Sequence, residues 1–490
     1  MSAAPIVRRN PADAREVVAT YPVHEPAQIA EMCARAHAAQ ARWGELPGPR
    51  RGELLHRAAE LLQRRGAQLA RLIVAEEGKL LSDAEGEVGR AAAVLRFHAG
   101  EAERFGGRIA DAAQVHTLAY TRRRALGVVG LITPWNFPIA IPAWKLAPAL
   151  AAGNAVVIKP SSSAPGAVVE LVRTLHEAGI PPDVAQVALG GSEVGLALAD
   201  NPHLRALSFT GSTAVGRMLA RRLCGAGPAV EGTAAQDFGA QGLDAPVREV
   251  RFQGELGGNN PLVVLADADL KQAVALACEG AFAAAGQKCT ATRRLIVERP
   301  VYDEVLAAFA RCAGELVLGS GLSPGAQMPP LIDGGAVDDV LGAVAQAREQ
   351  GAELCGGGER ADGELRHGSF VTPTVLAGVR PGMRVLDGEV FGPVCAVQAA
   401  RDLDEAIALA NAGPYGLSAS ICTNDLDRAL RFVERSDAGM VHVNRPTPGA
   451  DPHMPFGGLR ASAASGWREQ GSEAVRFFSE QQTVYVHHGR

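Results

Sequence analysis

Eight cysteines occur in the chain, at 33, 224, 278, 289, 312, 355, 395 and 422, and only Cys289 sits in a glycine-bearing polar turn, GQKCT (286–290), ahead of a β-prone run. A thiolate in such a turn is a good nucleophile towards a carbonyl carbon. That attack would raise a tetrahedral oxyanion, which needs preorganised neutral donors such as an asparagine amide. An acyl group left on sulfur would then need a general base to activate water. Cys33, Cys278, Cys312, Cys395 and Cys422 lie in apolar patterns and read as small buried hydrophobes. No CxxC pair and no close cluster of cysteine with histidine occurs, so neither a metal site nor a disulfide framework is expected. Free thiols suit a reducing cytoplasm. A second chemistry is suggested by FTGSTAVG (209–216), which lacks the GxGxxG pattern but places Gly211, Ser212 and Gly216 at a strand-to-helix junction. Free N–H groups and the positive end of a helix dipole can hold a pyrophosphate there.

Positioning such groups takes a sizeable scaffold, and 490 residues are enough for two to four domains. With 47% hydrophobic and 21% charged residues the chain has the composition of a globular protein. A net charge of −5 without long runs of one sign argues against a nucleic-acid footprint or an electrostatic membrane anchor. The apolar stretch Ile139 to Ile158 contains Lys145, Asn154, Pro142 and Pro148, which suits a buried helix and strand rather than a bilayer span. The start, MSAAPIVRRN, reads as neither a secretory signal nor an anchor.

Helical spacing over 28–43 and 54–73 predicts two amphipathic helices opening the protein, with a third near 83–104. Arg122, Arg123 and Arg124 then fall in a β-prone run and read as a solvated strand edge or subunit contact. A strand-then-helix order follows: AVVIKP with 164–178, VAQVAL with 192–200, RALSFTGS with 212–222, PLVVL with 268–284. A second series runs through RRLIV, helix 302–316, FVTPTVL, PVCAV, helix 404–411, SASICT, helix 425–436 and MVHVN. This alternation predicts an α/β fold of two doubly wound, mostly parallel domains, with ligands beyond the carboxyl ends of the strands. The final QQTVYVHH reads as a strand that could dock onto another subunit.

Taken in order, TPWNFP (133–138), IKPS (158–161), FTGSTAVG (209–216), GELGGNNP (254–261), GQKCT (286–290) and GEVFGP (388–393) resemble the aldehyde dehydrogenase superfamily over nearly the whole chain. The resemblance implies NAD(P)-dependent oxidation of an aldehyde to an acid. In it Cys289 is the catalytic thiol, Asn136 with the backbone N–H of Cys289 the oxyanion donors, and Glu255 the base. It further implies that Lys159 reaches the adenosine ribose and that Glu389 holds the nicotinamide ribose beside Phe391. NAD-preferring relatives commonly carry a glutamate three residues after that lysine, where this chain has Ser162. Removing the charge and supplying a hydroxyl predicts NADP as the preferred cofactor, with NAD also possible; a helix-capping serine is the plainer alternative.

The stretch from Met440 to Gly458 is similar to the branch oxidising α-ketoglutaric semialdehyde (2,5-dioxopentanoate). Substrate is expected to pass Phe137, Trp144 and Phe456, with Arg445 and His453 attracting an anionic tail or else simply solvated. The resemblance implies 1–106 and 126–257 as the cofactor-binding domain, 258–460 as the catalytic domain, and 107–125 with 475–490 as strands joining a cytoplasmic homodimer or homotetramer. No metal, nucleic acid or membrane partner is expected. Three departures stand out: Asn259 for the usual lysine, Pro329 for glycine, and a long connection from Ala220 to Val250, read as a surface excursion carrying Cys224 as a stray thiol. A coenzyme-A-acylating enzyme and a non-catalytic cofactor-binding protein are the alternatives; Glu255 disfavours the first, and the set Cys289, Asn136 and Glu255 the second.

Overall fold

The computed structural model describes residues 4–224 and 250–488. Before the predicted helices the chain makes an antiparallel hairpin of Ile6–Asn10 and Asp13–Tyr21. The helices therefore do not open the protein; the hairpin's strands are half-exposed and carry charges, which hides their alternation in the sequence. Helix Pro26–Glu45 starts on a capping box between Glu25 and Gln28 with proline in its first turn. The expected helix over 54–73 is two helices, Gly48–Arg64 and Gly66–Glu77, broken at Arg65 before a glycine whose helix-interior cost is about 1 kcal/mol. Helix Leu81–Glu103 follows and buries Val88, Val94 and Leu95 among the core residues.

A five-stranded, wholly parallel sheet has the order Ala185–Val187, Ala155–Pro160, Val128–Thr133, Leu204–Thr210, Arg251–Glu255. Its central strands are buried on both faces, which is why VVGLIT and AVVIKP read as continuous rather than alternating apolar runs. The seven-stranded sheet has the order Glu353–Gly356, Thr374–Ala377, Val394–Ala400, Thr292–Glu298, Asn260–Val264, Ser418–Cys422, Met440–Val443, with only its first pair antiparallel. Helix Gly334–Glu349 between them was not expected: two glycines open it and small residues blur its period, but Asp333 caps it by accepting from the Ala336 N–H at 2.9 Å. Residues 225–249 of the long connection, and the side chain of Cys224, lie outside the described residues. Beyond them Arg251–Glu255 pairs in parallel register with Ala206–Thr210, so the sheet is continuous.

Ser479–His487, Thr117–Ala125 and Ile109–Asp111 form a three-stranded antiparallel arm. The last strand pairs over nine residues with Thr117–Ala125 of its own chain, which corrects the reading of Arg122 to Arg124 as a strand edge. Arg122 to Arg124 accordingly lie on the arm's central strand, Arg122 donating to Gln482 Oε1 at 2.7 Å and Arg123 to Ser479 Oγ at 3.2 Å. Among the described residues no helix is long and apolar enough to cross a membrane.

Candidate active site

Helix Leu270–Phe282 ends in a tight turn in which Ala284, Ala285 and Gly286 take left-handed φ values of 55, 54 and 68°. Each alanine there costs roughly 1–2 kcal/mol, so the surroundings must impose the turn. At Gly286 only glycine fits, since a Cβ would lie 2.2 Å from the Gly392 carbonyl oxygen. The buried Arg293 guanidinium donates to the carbonyls of Gly286 (3.2 Å), Lys288 (3.1 Å) and Gly258 (3.3 Å). Asn260 Nδ2 donates to the carbonyls of Cys289 and Ala291, both at 2.8 Å, while its Oδ1 accepts from the Ser418 N–H at 3.0 Å. Cys289 is thus fixed from three strands. Burial, followed by the charges of Glu389 and Glu255, pushes its thiol up to about 12. A thiol raised in this way needs a base to take its proton before it attacks a carbonyl carbon.

Cys289 and Asn136 line one cavity of about 450 Å³ together with Gly211, Ser212, Glu389 and Phe391. Asn136, in the turn after strand Val128–Thr133, spends one Nδ2 hydrogen on the Gln287 carbonyl (2.9 Å) and keeps the second. Its own carbonyl accepts from Lys79 Nζ at 2.8 Å. Lys79 is buried and paired with Glu87 at 2.6 Å; the other Glu87 oxygen accepts from the N–H groups of Ile139 and Ala140 at the head of helix Ala140–Ala151.

Glu255 ends strand Arg251–Glu255 and is buried; its Oε2 accepts from the Gly458 N–H at 3.2 Å and its Oε1 has no partner. Burial and, next, the charge of Glu469 raise its pKa well above the usual carboxylate range. The carboxylate stands beside the cavity rather than in its wall, which Leu256 and Gly257 supply. Glu469 is ion-paired with Lys145, whose Nζ donates to Ser208 Oγ at 2.7 Å, and Ser208 donates to Gln253 Oε1 at 2.8 Å. Lys145, Glu469, Arg293 and Asn260 escaped the sequence reading as site residues. A lysine inside an otherwise wholly apolar helix and paired arginines in a buried strand were the available signals.

On the cofactor side, Gly216 N–H is spent on the Ser212 carbonyl (3.0 Å) and Gly211 N–H on the Glu255 carbonyl (3.2 Å), so neither is the free donor expected. Those glycines act by lacking a Cβ, which at Gly211 would meet the Phe209 ring at 2.6 Å and at Gly216 the Leu256 side chain at 2.1 Å. Helix Thr213–Cys224 begins beside the cavity, and the buried Thr213 Oγ1 there has no partner. An open helix head, an orphaned hydroxyl and a glycine-lined wall fit a dinucleotide. Glu389, in that wall, accepts from the Gly258 N–H at 3.2 Å and lies 3.6 Å from Arg293, while Phe391 meets Trp135 edge-on at 5.6 Å. Lys159 is buried, donates to the Pro160 carbonyl at 3.0 Å and is pulled down to about 8 by desolvation. Ser162 is not a helix cap: its hydroxyl donates to the Gly190 carbonyl at 3.0 Å, and helix Gly166–Ala178 starts after Pro165.

Of the expected substrate residues, Phe137 lies under Lys79 Nζ, 4.6 Å from its ring centre, on a second cavity. Trp144 and Phe456 are buried against each other, rings 5.4 Å apart. Arg445 and His453 are exposed, and neither lines the Cys289 cavity. Asn259, the departure from lysine, braces the loop before Glu389 by donating to the Leu386 and Gly388 carbonyls, both at 2.8 Å. Nothing in the structure explains Pro329.

Residues 2–484 match the model of the aldehyde dehydrogenase family. The chain is 42% identical to an alpha-ketoglutarate semialdehyde dehydrogenase of Haloferax volcanii, covering 97% of this chain and 94% of that one. It is 39% identical to a 2,5-dioxopentanoate dehydrogenase of Saccharolobus solfataricus, covering 97% and 95%. Among solved structures, a betaine aldehyde dehydrogenase of Staphylococcus aureus in complex with NAD+ superposes with a TM-score of 0.91 at 28% identity, over 98% of this chain and 91% of that one.

Proposed function

The chain belongs to the aldehyde dehydrogenase family and is an NAD(P)-dependent aldehyde dehydrogenase; from that premise we propose that Cys289, Asn136 and Glu255 are its working residues, that its substrate is 2,5-dioxopentanoate or a close semialdehyde, and that NADP is its preferred cofactor. The observation that carries this reading is the single cavity shared by the Cys289 thiol, the Asn136 amide and the cofactor-side groups Gly211, Ser212 and Glu389.

Cys289 Sγ bonds to the carbonyl carbon as its proton leaves through water to Glu255, the base whose charge reaches the sulfur. The oxyanion is held by the uncommitted Nδ2 hydrogen of Asn136 and the Cys289 N–H. When bound, the nicotinamide supplies the hydride acceptor. Loss of hydride leaves a thioester on Cys289. Glu255, once it has passed the thiol proton to solvent, takes a proton from water as the water oxygen attacks the thioester carbon, and returns that proton to the sulfur as the acid departs. A base with a raised pKa suits this work, and the buried Lys145–Glu469 pair offers an exit for the proton Glu255 collects. Glu255 also favours water over coenzyme A as the thioester acceptor. Lys159, Glu389 and Phe391 would hold the dinucleotide ribose and ring, with the first sheet as the cofactor-binding domain and the second as the catalytic domain.

For NADP the support is the uncharged Ser162 three residues after Lys159; a 2′-phosphate would meet no carboxylate at position 162. Turnover of 2,5-dioxopentanoate with NADP and NAD in parallel tests the reading. Acid formation with higher kcat/KM for NADP, a swing towards NAD in Ser162→Glu and loss of turnover in Cys289→Ala are expected. A large preference for NAD overturns the cofactor assignment. Full activity in Cys289→Ala overturns the mechanism.

A further inference from the structure

The second cavity, about 230 Å³, adjoins the nucleophile loop at Ala284 and Lys288; its charged lining is Lys79, Asp83, Glu87, Arg90 and Lys288. It touches the reaction centre through chain neighbours, since Phe137 follows Asn136 and Lys288 precedes Cys289. Lys79 is paired with Glu87 at 2.6 Å and, behind the wall, with the buried Glu77 at 3.8 Å, and the remaining Glu87 oxygen is spent on two backbone N–H groups. What remains in the wall is two cations, Arg90 and Lys288, against one carboxylate, Asp83.

Neither cation is satisfied by the protein. Among the described residues the side chains of Lys288 and Arg90 make no hydrogen bond and no ion pair within 4.0 Å; Asp83 acts on Lys288, and Asp451 and Glu87 on Arg90, only at longer range. Burial pulls both groups below their ordinary pKa values. A partly desolvated, unpartnered cation is unfavourable unless something brings it an anion. A cation without a close partner, set one residue from the sulfur that forms the covalent bond, suits a ligand with an aldehyde at one end and one negative charge at the other.

We propose that this cavity receives the far end of the substrate and that Lys288 and Arg90 recognise a carboxylate there, making them specificity-determining residues for ω-oxo acids; the proposal rests on the aldehyde-oxidising role of Cys289. Arg445 and His453 have no part in it. A guanidinium and an ammonium from different elements, helix Leu81–Glu103 and the nucleophile loop, fix both the charge and the direction of the tail, so the aldehyde carbon is presented to the sulfur.

The matched pair 5-oxopentanoate and pentanal, equal in chain length and different in charge, tests it with wild type, Lys288→Met, Arg90→Gln and Lys288→Arg. In the wild type kcat/KM favours the oxo acid. The ratio of kcat/KM for oxo acid over pentanal should fall about tenfold or more in Lys288→Met and in Arg90→Gln, mainly through KM for the oxo acid, and recover in Lys288→Arg. A ratio unchanged within about twofold in both variants overturns the recognition role. If Lys288→Met does not fold, Arg90→Gln, on a partly exposed side chain, decides. A wild type that turns over both aldehydes equally well sinks the carboxylate cradle and leaves the aldehyde-oxidising reading standing, whereas one that oxidises neither removes both.

Discussion

Two groups at the reaction centre have their pKa values raised by the same cause, burial next to other carboxylates. Glu255 is pushed well above the ordinary carboxylate range by burial and by Glu469. A base works only when deprotonated, so the acid limb of kcat should lie at higher pH than an exposed glutamate would give. Glu469→Gln removes the repulsion, leaves Lys145 nearby as an unbalanced cation, and should move that limb to lower pH; a limb that stays put or rises contradicts the assignment of Glu255 as base. With Glu255→Gln both the attack of Cys289 and the hydrolysis of the thioester lose their base, so steady-state kcat should fall by roughly 10²–10⁴ without a fast burst of reduced cofactor, and a full burst at the wild-type rate would show that another group takes the thiol proton. The Cys289 thiol, pushed up to about 12, gives a separate signature in the enzyme free of cofactor. Its alkylation by iodoacetamide should accelerate steadily with pH to beyond 10, and a plateau near neutrality would show that the resting sulfur is a thiolate.

At the scale of elements, the site is a set of loops held by side chains that do no chemistry. Asn260, the first residue of strand Asn260–Val264, ties the Cys289 and Ala291 carbonyls to the Ser418 N–H, joining the nucleophile loop to the next strand. Asn260→Ala strands three buried backbone groups at about 1–3 kcal/mol each before relaxation, so urea unfolding should show a loss of several kcal/mol together with a lower kcat. Helix Leu81–Glu103, which supplies Glu87 and Arg90, carries a different tension in His98: the ring is fully buried, neither nitrogen has a partner, and desolvation lowers its pKa to about 3 from 6.5. The folded state cannot take the proton that the unfolded state binds below pH 6.5, so stability is intact above that value and drains as pH falls towards 3, by about 1.4 kcal/mol per unit. His98→Leu should flatten that part of the stability profile, measured by denaturant midpoints at several pH values; parallel profiles would mean the ring is hydrated and titrates freely.

Over the whole molecule, what the sequence made legible was whatever a short window encodes. The parallel sheets followed from strands such as AVVIKP alternating with helices, and Cys289, Asn136 and Gly211 stood out because each occupies a turn with its own chemistry. Lys145 and Glu469 were invisible as a pair because 324 positions separate them and only tertiary packing brings them into contact. The upward shift of the thiol by Glu389 and Glu255 was hidden for the same reason, and so was the intrachain pairing of the last strand with Thr117–Ala125. That arm now poses the remaining question of assembly. Its two long strands satisfy each other's backbone within the chain, yet Ile109 and Val115 are about 80% exposed, and Leu118, Tyr485 and Val486 stand exposed near them (81% and 79% for the first two). Apolar and aromatic side chains gathered on one projecting sheet are unfavourable in water unless covered, and a second copy of the chain is the cover we propose, giving a homodimer or homotetramer. Tyr485→Glu keeps the strand pairing while placing a charge in the contact, so light scattering should show the wild-type oligomer falling to a smaller species with circular dichroism preserved. An unchanged mass in that variant, with Ile109→Glu equally silent, would take the arm out of the interface and leave its exposed residues to some other partner.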